Sequence, residues 1–580
     1  MTTTAEQPNI VYTDGQVIVD SHGPAAEAIW IRAGRIGAVG TSDEVIAAAG
    51  PDATRQSLDG AVVVPGLIDT HPHLLHFAGF RGGRVDLTEA RNHDEIVAAL
   101  RQQADQTPKG KWVRATPVGE PHYFKRRGYR DLAEGELPNR HILDRATTDH
   151  PVIIEAWAPS LPNVIALNSE ALAVLGIDSS IPDRVSDVFI EKDADGQPTG
   201  ILRGHVTTYY NPDPFFGDLF AKMPPIVDME QAPGALIASM ADYNSMGITT
   251  VYEGHAMTFE LLGAYQAFRA HGLLTLRVKA AAELQPNALI GDVELPPEAV
   301  RQTLEQALAM TELNDEWLRF DGITSCTYGP CNCAYIYWPA GYKDAYGRPT
   351  TGRRMVPLDT TRMAFEFCAE HGLRLNLCAV SPAEIDDHLA MTDEVMAKYG
   401  LDRTGWVVQH GFLIREDQAK ALAQRGFDMT VSMSFTFGKG DTIAERFPAD
   451  ALPLLNPLRH IIDAGLAPAG GMDWGPNNPW EQMQLAVTHK RYPSGLNNAG
   501  PAQVITRAEA FDMWTVNGAK VLRWEGLGAL APGNYADIAI VDRNPITCDL
   551  DDLSHTRVLR THVGGRIVHD DNTLRAAAEV

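Results

Sequence analysis

Cysteine is scarce, with six in 580 residues: Cys326, Cys331, Cys333, Cys368, Cys378 and Cys548. That is too few for a disulfide scaffold, so they read as free thiols and point to a reducing cytoplasm. Basic residues are also in short supply. Lys and Arg total 49 against 74 Asp and Glu, a formal net charge of −25. With no basic patch to offset it, neither nucleic acid nor an anionic membrane surface is an expected partner. No run reaches the roughly 18 apolar residues of a membrane span. The N-terminal "MTTTAEQPNIVYTDG" lacks the basic-then-apolar order of a secretory signal, so none is expected. There is no low-complexity tract, no repeated phosphate-binding pattern and no G-x-G-x-x-G after an early strand. A nucleotide substrate is therefore not expected.

What is present is a globular composition, 44% hydrophobic and 21% charged, on a chain long enough for two or more domains. Residues 9–64 read as short strands with Gly/Asp turns, among them "NIVYTDGQVIVD", "AIWIRAGRIGAVG" and "QSLDGAVVVPG". The C-terminal "ADIAIVDRNP" and "VLRTHVGGRIVHDD" have the same texture. The expectation is one β-sandwich domain built from both ends, 1–64 plus 526–580.

Between them, apolar strands alternate with amphipathic helices. The strand candidates are "PVIIEAW", "ITTVYEG", "LRLNLCAV", "GWVVQHG", "DMTVSM" and "APAGGMD". Gly247, Gly372 and Gly426 close helices just before the next strand. Over residues 65–525 this pattern predicts a (β/α)8 TIM-like barrel, with a doubly wound open sheet as the second choice.

In a barrel the chemistry sits at the C-terminal ends of the strands. The stretch "VVVPGLIDTHPHLLHF" puts His71 and His73 at such an end, two apart and therefore on one side of an extended chain. Neutral imidazoles so placed suit zinc or another borderline metal, although an isolated H-x-H fits packed core histidines equally well. His76 falls off that side and reads as a residue that orients a ligand. "TTVYEGH" ends a strand with Glu253 and His255, either a ligand-and-base pair or two loop-facing side chains. Cys326, Cys331 and Cys333 lack the second Cys/His pair of a structural zinc site and read as buried thiols or pocket lining. Asp473, in "PAGGMDWGP", suits a site residue or a helix cap.

"VVVPGLIDTHPHL" resembles the first-strand signature of the amidohydrolase superfamily, and "LGALAPGNYADIAIVDRNP" with "THVGGRIV" resembles its returning C-terminal segment. The interior stretches "LPNRHILDRATTDHPVIIEAW", "ALNSEALAVLGI" and "EKDADGQPTGIL" are similar to the YtcJ-like branch that includes N-substituted formamide deformylases. The resemblance implies a divalent metal held by His71, His73, His410 and Asp473. Zinc comes first, with iron and manganese as alternatives, and one or two ions are expected per chain. It also implies that Asp473 takes a proton from the attacking water, and it makes a homodimer a family-level expectation.

Two positions depart from the family pattern. Thr324 stands where a metal-bridging lysine is expected, and Cys378 where the fifth-strand histidine is expected. Cys378 and Glu253 thereby become further ligand candidates. The expected activity is hydrolysis of a non-peptide C–N bond in a linear or cyclic amide by metal-activated water, with Asp473 and His410 as catalytic residues. Aromatic residues crowd the strand-end loops, so an apolar or aromatic small-molecule substrate is expected, contacted by His255, Trp157, Tyr328, Trp338 and Trp474. His205, with Arg203 two residues before it, is a further pocket candidate, and the Tyr/Gly/Pro-rich segment 331–354 a candidate lid. A metal-assisted lyase, decarboxylase or isomerase on the same barrel, or a degenerate small-molecule binder, remain the alternative readings.

Overall fold

The computed structural model describes residues 8–574 apart from 120–125, 157–160, 209–210, 226–229, 256, 286–294, 329–334 and 476. Its centre is a sheet of eight parallel strands in sequential order. These are β1 (Leu67–Asp69), β2 (Ile248–Glu253), β3 (Arg277–Glu283), β4 (Leu318–Ser325), β5 (Leu375–Cys378), β6 (Val407–Gln409), β7 (Asp428–Val431) and β8 (Pro468–Gly470). The Thr70 N–H and hydroxyl both donate to the Gly470 carbonyl, at 3.0 and 2.8 Å, which brings the exit of β8 onto that of β1 and closes the barrel. The strands are covered on both faces, which is why most read as continuous apolar runs.

Helices return along the outside, and their ends follow the sequence. Ser381 and Glu384 form a capping box on the helix Pro382–Tyr399. Gly372 closes the helix Leu358–His371 in the left-handed conformation, at φ 67°, where a side chain would be strained.

The two chain ends meet. Val62–Pro65 pairs antiparallel with Ile538–Val541 inside a five-stranded sheet. A four-stranded sheet, made of Arg35–Gly40, Ala28–Arg32, Asn9–Thr13 and Thr54–Ser57, packs on it through Tyr12, Ile29, Ile31, Val63, Ile538 and Ile540. Arg277 on β3 holds Asp537 beside this sheet with two buried hydrogen bonds of 2.6 and 3.0 Å, which ties barrel to sandwich.

The expectation for "PVIIEAW" is corrected. Val152–Ile154 lies in a separate six-stranded sheet inserted between β1 and β2. Val152 and Ile154 enter one apolar cluster and Ile153 the opposite one. A strand covered on both faces reads the same whether it lies in a barrel or in a side sheet.

Candidate metal centre

The mouth of the barrel is built around one carboxylate. Asp69, the last residue of β1, accepts the N–H groups of His71 at 3.0 Å and Met472 at 3.1 Å. Its side chain thus joins the exits of the first and last strands. Burial pushes its carboxyl up to about 7. The Asp473 N–H donates to the His71 carbonyl at 2.8 Å. Gly471 allows this approach, because a Cβ there would lie 2.6 Å from the Cβ of His71. Pro72 is held from outside by the Tyr243 hydroxyl, which donates to its carbonyl at 2.7 Å.

His73, His410 and Asp473 have φ values of 49°, 78° and 52°. Non-glycine residues seldom occupy this region, and such strain gathers at functional sites. Here it turns three side chains away from their strand directions and into the mouth.

One ligand atom each of His71, His73 and Asp473 lie within 4.8 Å of one another, an arrangement that could hold a metal ion. His73 Nε2 is 3.3 Å from Asp473 Oδ1, and His410 Nδ1 is 3.8 Å from Asp473 Oδ2. The His71 ring centroid lies 4.5 Å from that of His410. Burial drives all three imidazoles well below the usual histidine range, so they are neutral and keep their lone pairs. Neither ring nitrogen of His71, nor His73 Nε2, nor His410 Nδ1 has a hydrogen-bond partner among the described residues. Buried polar atoms are ordinarily bonded. Orphaned imidazole nitrogens beside a carboxylate therefore fit a divalent cation.

A second group lies alongside. His255, Cys326 and Cys378 leave β2, β4 and β5, and their ligand atoms also fall within 4.8 Å of one another. His255 is 5.6 Å, ring to ring, from both His71 and His73. Its partner at β2, Glu253, faces elsewhere: its carboxylate accepts the Leu75 N–H at 3.0 Å and the Tyr265 hydroxyl at 2.7 Å. Burial raises the Glu253 carboxyl to about 7. Thr324 points its hydroxyl at the Gly254 carbonyl, fastening β4 to β2.

The aromatic candidates separate. Trp474 packs 4.9 Å from His73, 4.8 Å from Phe77 and 5.5 Å from Phe80, forming an apolar wall beside His73. Phe435 lies 5.0 Å from His410, and His76 Nδ1 lies 3.5 Å from His73 Nδ1. Tyr328 instead stacks on Tyr337 and donates its hydroxyl to Asp387. Trp338 packs edge-on against Phe447. His205 and Tyr335 line a separate cavity of about 360 Å³, while Arg203 pairs with Glu191 at 3.3 Å. Trp157, Cys331 and Cys333 lie outside the described residues.

Three residues near the mouth are absent from the sequence reading. Asp69 and Glu283 end strands β1 and β3. Lys439, 2% exposed, has Nζ 4.2 Å from the Phe435 ring, and its charge acts on His410. A lysine inside the otherwise uncharged "SFTFGKG" after β7 is the signal that could have found it.

Neutral imidazoles and a carboxylate gathered at the C-terminal mouth of a closed parallel barrel place the protein among the metal-dependent hydrolases. More particularly, the chain belongs to the amidohydrolase family, whose model matches residues 56–569. It is 26% identical to the N-substituted formamide deformylase of Arthrobacter pascens, over 94% of this chain and 95% of that one. It is 23% identical to the putative amidohydrolase YtcJ of Bacillus subtilis, over 94% and 97%. A crystal structure of an uncharacterized metal-dependent hydrolase from Pyrococcus horikoshii superposes with a TM-score of 0.68 at 18% identity, covering 93% of this chain and 99% of that one.

Proposed function

We propose that the protein hydrolyses the C–N bond of a small amide, linear or cyclic, that carries an apolar or aromatic group. The observation that carries this reading is the set of orphaned nitrogens on His71, His73 and His410 around Asp473, with Trp474, Phe77 and Phe80 packed beside His73. The similarity to a deformylase of N-substituted formamides supports the choice of an amide.

His71, His73 and Asp473 would hold a divalent ion, with His410 as a further ligand or partner, and zinc suits a set of nitrogen donors with one carboxylate. Such an ion polarises a carbonyl and lowers the pKa of water. Asp473 stands between His73 and His410, where its carboxylate can take a proton from water and pass it to the leaving nitrogen. His410 would stabilise negative charge developing on the carbonyl oxygen. The Trp474 wall takes the apolar end of the substrate and excludes water from the reacting bond.

The proposed compartment is the cytoplasm, in keeping with free thiols at Cys326, Cys368, Cys378 and Cys548. Among the described residues no helix is long and apolar enough to cross a membrane. A homodimer and the absence of nucleic-acid partners remain part of the proposal.

The test is a panel of N-benzyl and N-aryl formamides, cyclic amides and aryl esters, with release of amine, ring-opened acid or phenol followed directly. Turnover of an amide that is lost on chelation, restored by a divalent ion and lowered about 10²–10⁴-fold in Asp473→Asn is expected. Metal-bound protein that turns over no member of the panel would overturn the reading.

A further inference from the structure

The geometry points to a second metal site, of unusual donor type, made by His255, Cys326 and Cys378, and selective for zinc or a similarly thiophilic divalent ion. It rests on the reading of the barrel mouth as a metal centre and adds to it a separate ion with its own ligands.

The spacing is the first argument. In a tetrahedral site with Zn–S near 2.3 Å and Zn–N near 2.0–2.1 Å, donor atoms stand about 3.6–3.8 Å apart. His255 Nδ1 and Cys378 Sγ are 3.4 Å apart, and all three donor atoms lie within 4.8 Å of one another. Three residues from three different strand ends thus bring one donor atom each to within 4.8 Å of the others, close enough for a small adjustment to seat such an ion.

The surroundings are the second argument. His255, Cys326 and Cys378 are 5%, 3% and 5% exposed, so an ion here would be shielded from bulk water. Glu283 holds two members of the group in place, with Oε2 3.1 Å from His255 Nδ1 and Oε1 accepting the Cys326 N–H at 3.2 Å. The contact uses the same Nδ1 that faces Cys378, so an ion bound here would take that nitrogen's lone pair in place of the hydrogen bond to Glu283. Gln409 ties the group to β6: its side-chain oxygen accepts the Cys378 S–H at 3.1 Å, a proton that a bound ion would displace, and its amide donates to the Gly254 carbonyl at 3.0 Å.

The donor chemistry gives the selectivity. Two sulfurs and one imidazole favour zinc or another thiophilic ion over the hard ions magnesium, calcium and manganese. The neighbouring His71, His73, Asp473 group has no sulfur and is less discriminating. The two sites should therefore differ in the ions they retain, although the ring of His255 is only 5.6 Å from those of His71 and His73.

The experiment uses the full-length protein, stripped of metal and reloaded with cobalt(II) or zinc. With cobalt, thiolate ligation gives an intense near-ultraviolet sulfur-to-metal band. With zinc, X-ray absorption reports sulfur neighbours near 2.3 Å. The expected result is that band, together with loss of one equivalent of bound ion in Cys326→Ser and in Cys378→Ser. Circular dichroism and melting temperature confirm that these near-isosteric variants fold. His71→Ala with His73→Ala should remove the other equivalent and leave the sulfur band intact, which separates failure of this site from failure of the first. Absence of the band in wild-type protein carrying a full complement of cobalt, or unchanged stoichiometry in both folded serine variants, would overturn the proposal.

Discussion

The backbone N–H of Asp473 donates to the carbonyl of His71 at 2.8 Å. The residue that leaves the last barrel strand is therefore fixed to the one that leaves the first. The Asp69 carboxylate reinforces the junction by taking the N–H groups of His71 and Met472. The relative position of the two candidate ligands is thus set by hydrogen bonds rather than by loop length.

Asp69 accordingly acts as a positioning residue, and Asp69→Ala should weaken metal binding without removing a ligand. Loss of a group that orients metal ligands typically lowers affinity 10–100-fold. Competition with a chelating dye should register that loss at the site of His71 and His73, while the sulfur-dependent cobalt band of the second site persists. Unchanged affinity in the folded variant would mean that the strand exits hold themselves.

Trp474 lies against His73, Phe77 and Phe80, so it should select for substrate rather than drive the chemistry. Trp474→Leu keeps an apolar side chain but removes the flat face. It should raise KM for N-benzyl amides by about tenfold, a loss of about 1.4 kcal/mol. The kcat should be little changed, and small aliphatic amides little affected. An equal fall in kcat for both substrate types would instead place the indole at the reacting bond.

The sequence carried the main lines of the barrel because six of its strands are apolar runs with helices between them. It failed where tertiary partners override local pattern. β3, "RVKAAAE", mixes charged residues with helix-favouring alanines and does not read as a strand. It is one because its polar side chains have partners: Arg277 pairs with Asp537 and Lys279 with Asp321, while Glu283 lies in hydrogen-bond contact with His255. The H-x-H, "WVVQHG" and "GGMD" motifs were legible because each follows a strand directly. The grouping of His255, Cys326 and Cys378 was not, since it depends on how β2, β4 and β5 line up across the mouth. Nor was the division of the aromatic residues between the wall at Trp474 and the packing around Tyr328 and Trp338.

The Arg277–Asp537 pair gives a test of how barrel and terminal sheets are coupled. Both side chains are buried, 2% and 4% exposed, and joined by two hydrogen bonds. Asp537→Ala would leave the guanidinium buried beside Trp317 and Tyr535 without its carboxylate. Breaking a buried pair from one side costs about 3–5 kcal/mol. Chemical denaturation should show that loss, and Arg277→Met with Asp537→Leu should recover much of it. A loss below 1 kcal/mol in the single variant would mean that water reaches the guanidinium.

His388 supplies the pH dependence. It lies in the helix Pro382–Tyr399, 5.9 Å from the Phe365 ring and 6.0 Å from Tyr328, and neither ring nitrogen has a hydrogen-bond partner among the described residues. Burial holds its pKa down at about 4, against 6.5 for an ordinary histidine. As pH falls below 6.5 the unfolded chain takes up a proton that the folded chain refuses until about pH 4, so protons favour unfolding through that window. The stability this site has above pH 6.5 is lost progressively on acidification, by up to about 3 kcal/mol at 1.36 kcal/mol per pH unit. His388→Leu has nothing to protonate and leaves no orphaned nitrogen. Its melting temperature should match or exceed that of the wild type at pH 7.5 and exceed it by a wider margin at pH 5. If the margin is the same at both values, the imidazole is protonated in the folded protein and its burial does not resist the charge.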